Sequence, residues 1–167
     1  MLEYVPAMRW RRMSLLTKMA LQAAHDCLDG LDVSVLTVFS SRHGEIIQTM
    51  GLLQSVAEKE LLSPAAFSMS VHNISAGLQS ILTKNILSST TLSAGKDSFC
   101  QAVIEAYSRS IQSGGEDVLL IYSDARLPKM FAAHGDEEMV DHALALLVCA
   151  NKGRLIIISL GSNLPMT

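Results

Sequence analysis

Residues Thr90–Ala106 read TTLSAGKDSFCQAVIEA. The paired threonines within Ser88–Ser93 favour a strand, Ala94 to Asp97 make a sharp turn, and Ser98 to Gln112 carry a helical pattern. In that helix Phe99, Val103, Tyr107 and Ile111 recur every four residues, with Gln101, Glu105, Arg109 and Gln112 predicted to face away. A side chain at such a turn sits at a helix N-terminus, where backbone N–H groups and the dipole lower a thiol's pKa or stabilise an oxyanion. Enzymes present nucleophiles this way, yet the tip here is Lys96-Asp97. A cation is disfavoured at that end and the following anion is favoured, so the two are expected to pair. A Schiff-base lysine is the functional alternative, and it requires a desolvated pocket.

Outward from this unit the chain alternates helix and strand. Met13–Asp29 carries a helical face of Leu15, Leu16, Met19, Ala20, Ala23, Ala24 and Cys27, with Ser14 as N-cap and Gly30 as the stop. Val33–Phe39 is short, apolar and β-branched, as a strand buried on both faces would be. After the polar SSRHGE loop a second helix is expected from Glu45 to Leu62, interrupted at Ser63-Pro64. Helix resumes in the later part of Phe67–Leu82, with Ile74, Leu78, Ile81 and Leu82 on one side. Gly114-Gly115 ends the helix that starts at Ser98, and Val118–Tyr122 is another buried strand. ALALLVC and RLIIISL then form a hairpin around Asn151-Lys152-Gly153. The order predicts an α/β fold, a mixed and mostly parallel sheet flanked by helices with a C-terminal β-hairpin. One domain spanning 1–167 is expected, with no repeat, linker or low-complexity segment.

A hydrophobic content of 49% against 17% charged residues excludes a disordered chain and is rich for a free monomer, which hints at a subunit interface; a large two-layer core is the alternative. The net charge of −3 argues against nucleic acid as the main partner. Cys27, Cys100 and Cys149 form no CxxC pair, so neither a metal site nor a disulfide framework is expected, and a reducing cytoplasm fits. No run approaches the ~18 apolar residues of a membrane span, and no signal peptide is read at the N-terminus. The nine methionines read as core filler.

SPAAFSMSVHNISAGLQSI, then TTLSAGKDSFCQAVIEA, then GGEDVLLIYSDA follow one another without a gap in a way that resembles the N-terminal half of the β-ketoacyl synthases, which have the thiolase fold. On that pattern Asn73 matches the family asparagine, Gln101-Ala102-Val103 continue the helix, and Lys96 falls where the active cysteine belongs. The resemblance covers roughly Val33 to Tyr122 and extends to the final hairpin, which it reads as the strands closing a half-domain. It implies that the chain cannot carry an acyl group at this turn. The family's two catalytic histidines and lysine come from a second half that this chain stops short of; His72 and His142 lie in the wrong places for those roles. No catalytic residue and no cofactor are therefore expected.

The wording SSRHGE, SPAAFSMSVHN and VPAMRWRRMS resembles the short chain-length-factor-like group found beside aryl-polyene biosynthesis enzymes, whose members begin somewhat earlier, which implies a missing N-terminal piece. The resemblance implies a cytoplasmic, non-catalytic subunit that pairs with a full-length β-ketoacyl-ACP synthase in fatty-acid or polyketide-type biosynthesis and meets acyl carrier protein only indirectly. The strand Ser88, Ser89, Thr90, Thr91, Leu92, Ser93 would pair across the heterodimer, with His72 and Asn73 bracing the interface. Ala65, Ala66, Phe67 and Met69 would line the partner's acyl tunnel. Two other classes stay open: a minimal acyltransferase or lyase using Lys96, and a homodimeric acyl- or carrier-binding module. Arg42, His43 and Glu45 read as a cap and a local ion pair, and His134 to Glu138 as a solvated loop without metal-ligand geometry. Arg9, Arg11 and Arg12 beside Trp10 form a basic patch that could meet an acidic carrier protein or the partner, or simply start a surface helix.

Overall fold

The structure is a computed structural model that describes residues 2, 5–28, 34–128, 130, 131, 139–151 and the backbone of 156–160. Gly30, the 134–138 loop and the turn residues Lys152 and Gly153 lie outside these. In chain order the elements are α1 (Ala7–Arg12), α2 (Leu15–Leu28), β1 (Leu36–Ser40), α3 (Ile46–Ala57), α4 (Pro64–Ser68), α5 (Ile74–Thr83), β2 (Ser89–Leu92), a 3-10 turn (Gly95–Asp97), α6 (Ser98–Gln112), β3 (Val118–Asp124), β4 (His142–Val148) and β5 (Ile156–Leu160).

The five strands form one sheet in the order β2-β1-β3-β4-β5. β1 pairs in parallel with β2 and β3, whereas β4 runs antiparallel to both β3 and β5, so four of the five strands share one direction. β1 and β3 are buried along nearly their whole length, as strands covered on both faces must be. Their side chains alternate between two cores. Phe39, Leu119 and Ile121 point to the α2 side and meet Leu16, Met19, Ala20, Ala23 and Ala24. Val38, Val118 and Leu120 point to the other side, onto Ala102 and Ala106 of α6. A third cluster gathers Leu2, Val5, Met13 and Leu21, with Trp10, Met69, Leu78 and Leu82 packed against it.

The α6 face expected to be buried is not the one laid on the sheet. Ser98, Ala102, Ala106 and Ser110 are buried, Phe99 and Val103 flank them, and Tyr107 and Ile111 are 50% and 55% exposed. The reason is space and hydrogen bonding. The strands supply the large side chains, so the helix must approach on small ones, and its serines solder both ends. Ser110 donates from Oγ to the Glu116 carbonyl at 2.7 Å and accepts the Ala150 N–H at 2.9 Å. Ser98 donates to the Gly95 carbonyl at 2.7 Å and accepts the Ala94 N–H at 2.9 Å. Arg109, read as facing away, turns back onto β2. α5 behaves alike, burying Ser75, Ala76 and Gln79 while Ile81 is exposed.

α3 also departs from expectation. It stops at Ala57, before Ser63-Pro64, because Lys59 takes a left-handed conformation at φ 57°. Ser63 then caps α4, its Oγ accepting the Ala66 N–H at 3.3 Å. Neither α3 nor α4 buries a single residue, and they pack chiefly on each other. Ile47, Leu53, Val56, Leu61, Leu62 and Phe67 are exposed along this arm.

At the arm's root Glu45 is buried, neither a side-chain cap nor a local ion partner. One of its oxygens accepts from Ser14 Oγ at 2.6 Å and from Thr17 Oγ1 at 2.7 Å. Thr17 Oγ1 lies 2.7 Å from Ser75 Oγ; its proton is committed to Glu45, so Ser75 donates. Ser14 also accepts the Thr17 N–H at 3.0 Å, as the expected N-cap of α2. One carboxylate thus ties α2, the loop after β1 and α5 together. Burial pushes the Glu45 carboxyl up, opposed by the two hydroxyl donors and by His72.

Two outcomes follow. Ala106→Leu should cost the isolated chain about 1–3 kcal/mol through overpacking, and Ile111→Ala less than about 0.5 kcal/mol; denaturant midpoints in the reverse order would show that the outer face carries the core. For Glu45, the folded chain holds a proton that the unfolded chain releases in the window above the ordinary value of 4.5, so stability falls there as pH rises. Urea unfolding should therefore show wild type gaining on Glu45→Gln as pH drops from neutral toward that value, and a pH-independent difference would contradict it.

Candidate functional site

β2 runs out of the sheet into the Gly95–Asp97 turn, and α6 starts at Ser98. Gly95 adopts φ 59°, the left-handed conformation that lets the chain reverse tightly between strand and helix. Ser98 braces the turn from inside through its bonds to Ala94 and Gly95, and Ser40 Oγ at the end of β1 donates to the Ser98 carbonyl at 3.1 Å. The hydroxyl nearest the tip is thus buried and committed to holding the turn. Lys96 itself is exposed.

Lys96 overlooks an open cleft of about 290 Å³, lined also by Arg42, Tyr122, Asp124, Met139, Val140 and His142. The cleft lies beyond the C-terminal ends of the parallel strands, where α/β sheets place their crevices. Its floor is Asp124, 1% exposed. One carboxylate oxygen accepts from Ser41 Oγ and from the Arg42 N–H, both at 2.8 Å, and the other accepts from the Tyr122 hydroxyl at 2.7 Å. Burial and then the Asp124 carboxylate push the Tyr122 phenol well up, so it remains a donor at any ordinary pH. Burial, aided by the Arg42 charge and opposed by Asp124, pushes the His43 imidazole down, so it is neutral near pH 7. His142 accompanies Lys96 in the cleft; its Nδ1 is 2.8 Å from the Val140 carbonyl and its ring 5.5 Å from that of Tyr122.

This network was missed in the sequence. Its signal was the polar tail of two apolar strands, Ser40-Ser41 after TVF and Ser123-Asp124 after VLLIY, because a charge ending a buried strand needs built-in partners.

The expected interface residues fall on two elements. Ser89 to Leu92 form β2, at the end of the sheet order, with Ser88 and Ser93 flanking it. His72, next to α5, supports the loop after β1. Its Nε2 is 3.3 Å from the Ser41 carbonyl and its ring is edge-on to Phe39. Gly44 passes so close, at φ 55°, that a Cβ there would stand 2.6 Å from the His72 ring. Asn73 is exposed at the N-cap position of α5 without a side-chain cap bond. Ala65, Ala66 and Phe67 are exposed on α4, while Met69 packs against the N-terminal cluster.

Arg9, Arg11 and Arg12 are exposed on α1, with Lys18 Nζ 5.7 Å over the Trp10 ring. Among the described residues, no group of three or more His, Cys, Asp or Glu is placed to hold a metal, and no helix is long and apolar enough to cross a membrane.

The family model described as the N-terminal domain of β-ketoacyl synthase matches residues 1–163. No curated protein matches significantly. Among solved structures the chain is similar to one in the complex of a ketosynthase (ApeO) with its chain length factor (ApeC) from Xenorhabdus doucetiae, at 34% identity and a TM-score of 0.81. The likeness covers 89% of this chain and 63% of that one, so this chain spans less than two thirds of that relative's length. The mixed, mostly parallel sheet flanked by helices matches a thiolase-like half-fold, and the chain belongs to the β-ketoacyl synthase N-terminal-domain family.

Proposed function

We propose that the chain is a non-catalytic, chain-length-factor-like subunit that pairs with an active β-ketoacyl-ACP synthase and shapes its acyl tunnel. The observation that carries this reading is the turn itself. Strand, turn and helix are braced as a nucleophile's support, yet the tip bears exposed Lys96 and the adjacent Ser98 hydroxyl is spent on the brace. In the resemblance to the ketosynthases, Lys96 occupies the position of the acyl-carrying cysteine, so the condensing chemistry belongs to the partner.

The surface supports a partner as well. Among the described residues, no strand pairs with the outer side of β2 at the sheet edge. The α3–α4 arm exposes Leu53, Val56, Leu61 and Phe67, and the outer faces of α5 and α6 expose Ile81, Ile104 and Ile111. Apolar surface gathered on such an arm is the mark of an interaction site. The similar complex of a ketosynthase with its chain length factor is the matching precedent.

In this reading Ser88 to Ser93 join the partner's sheet. Ala65 and Ala66 are exposed on α4 with Phe67, and facing the partner's tunnel their two methyl side chains would leave room for a long, stiff acyl chain of the aryl-polyene kind. Acyl carrier protein is met through the ketosynthase, and the complex is cytoplasmic. A lyase or acyltransferase built on Lys96 is disfavoured because the desolvated pocket that suits a Schiff-base lysine is not what surrounds this exposed side chain.

The test is product length. In the reconstituted pair Ala66→Phe should shorten the products, read by mass spectrometry, while Lys96→Ala leaves their rate of formation unchanged. Products of unaltered length would overturn the tunnel assignment, and loss of turnover in Lys96→Ala would move the chemistry to this chain.

A further inference from the structure

A charged side chain of α6 braces β2 from behind. From the last turn of α6, Arg109 donates through Nη2 to Ser88 Oγ at 2.7 Å and through Nη1 to Thr90 Oγ1. Ser88, Thr90 and Leu92 share the strand face turned to α6, since Leu92 packs into the cluster of Val38, Ala102 and Ala106.

The register separates this clamp from the outer edge. The Ser88 and Leu92 carbonyls accept from the N–H groups of Thr37 and Ser41 on β1, at 3.2 and 3.4 Å. Even-numbered residues of β2 therefore aim their backbone at β1, and Ser89 and Thr91 aim theirs out of the sheet. Arg109 occupies none of that outer ladder. It fixes two hydroxyls behind it with a planar fork, and the helix C-terminus favours its charge.

Resting on the ketosynthase-partner reading above, we propose that Arg109 is a positioning residue of the interface. By pinning Ser88 and Thr90 it preforms the Ser89 and Thr91 ladder for strand addition by the ketosynthase, so that β2 is not left to order when the subunits meet. A strand of four residues at a sheet edge is otherwise prone to fray, and ordering it during association would weaken binding.

The experiment uses the tagged full chain and the ketosynthase recovered with it, comparing wild type, Arg109→Met and the Ser88→Ala/Thr90→Val pair. Arg109→Met should weaken the complex about tenfold, the hydroxyl pair by a similar factor, and the triple variant no further, because all remove one clamp. In the free chain, hydrogen exchange at the β2 amides that face β1, those of Thr90 and Leu92, should quicken in each variant while β3 is unaffected. In the wild-type complex Ser89 and Thr91 should become protected.

Equal affinity of wild type and Arg109→Met, or additive losses in the triple variant, would overturn the positioning role and leave the partner reading intact. Failure of the wild-type chain to bind any ketosynthase would overturn the partner reading, and this inference with it. Should Arg109→Met not fold, the hydroxyl pair alone decides, since it removes the same bonds without touching α6.

Discussion

The parallel pairing of β2 on β1 fixes both surfaces that matter. Its end delivers the Gly95–Asp97 turn beside the Asp124 network, and among the described residues its outer side is the edge of the sheet. A strand in that position has no second neighbour to hold it, so it depends on what stands behind. Leu92 in the α6 cluster, the Arg109 fork, and the Ser40 and Ser98 bonds at the turn supply that support. Loosening the strand would therefore disturb the edge and the turn together. Under the proposed function, this coupling would account for an intact turn in a subunit that carries no acyl group, since the same strand would serve both the turn and the interface.

The arm and the helix faces follow the same logic. Burying small residues against the sheet lets α5 and α6 sit close, and it leaves their large apolar side chains on the outside. A lone globular domain gains nothing from that arrangement, because exposed Ile81, Ile104 and Ile111 contribute little until something covers them. Buried Glu45 anchors the base of an arm that has no core of its own, joining it to α2 and α5 through three hydroxyls. The arm is thus positioned rigidly at its root while its apolar length stays available.

Much of the fold was legible in the sequence. The strand, turn and helix of Thr90–Ala106 lie where the threonines, the glycine and the periodicity put them, and α6 spans Ser98–Gln112 as expected. Two strands ending in the closing hairpin were legible from their apolar runs. What periodicity cannot report is which face of an apolar helix meets the sheet. The Phe99, Val103, Tyr107 and Ile111 repeat marks the largest side chains, whereas packing against filled strands selected Ala102 and Ala106. Glu45 was misread for a related reason: a carboxylate in a polar loop looks solvated, and its partners Ser14 and Thr17 are distant in the chain. Arg109 carried no local signal, since its acceptors sit on a strand that only the tertiary fold brings near.

The most direct measurement is native mass spectrometry of the complex purified through the tagged chain from its own cells. One copy of this chain with one full-length ketosynthase bearing an intact cysteine is the predicted result. This chain alone, or paired only with itself, would contradict it.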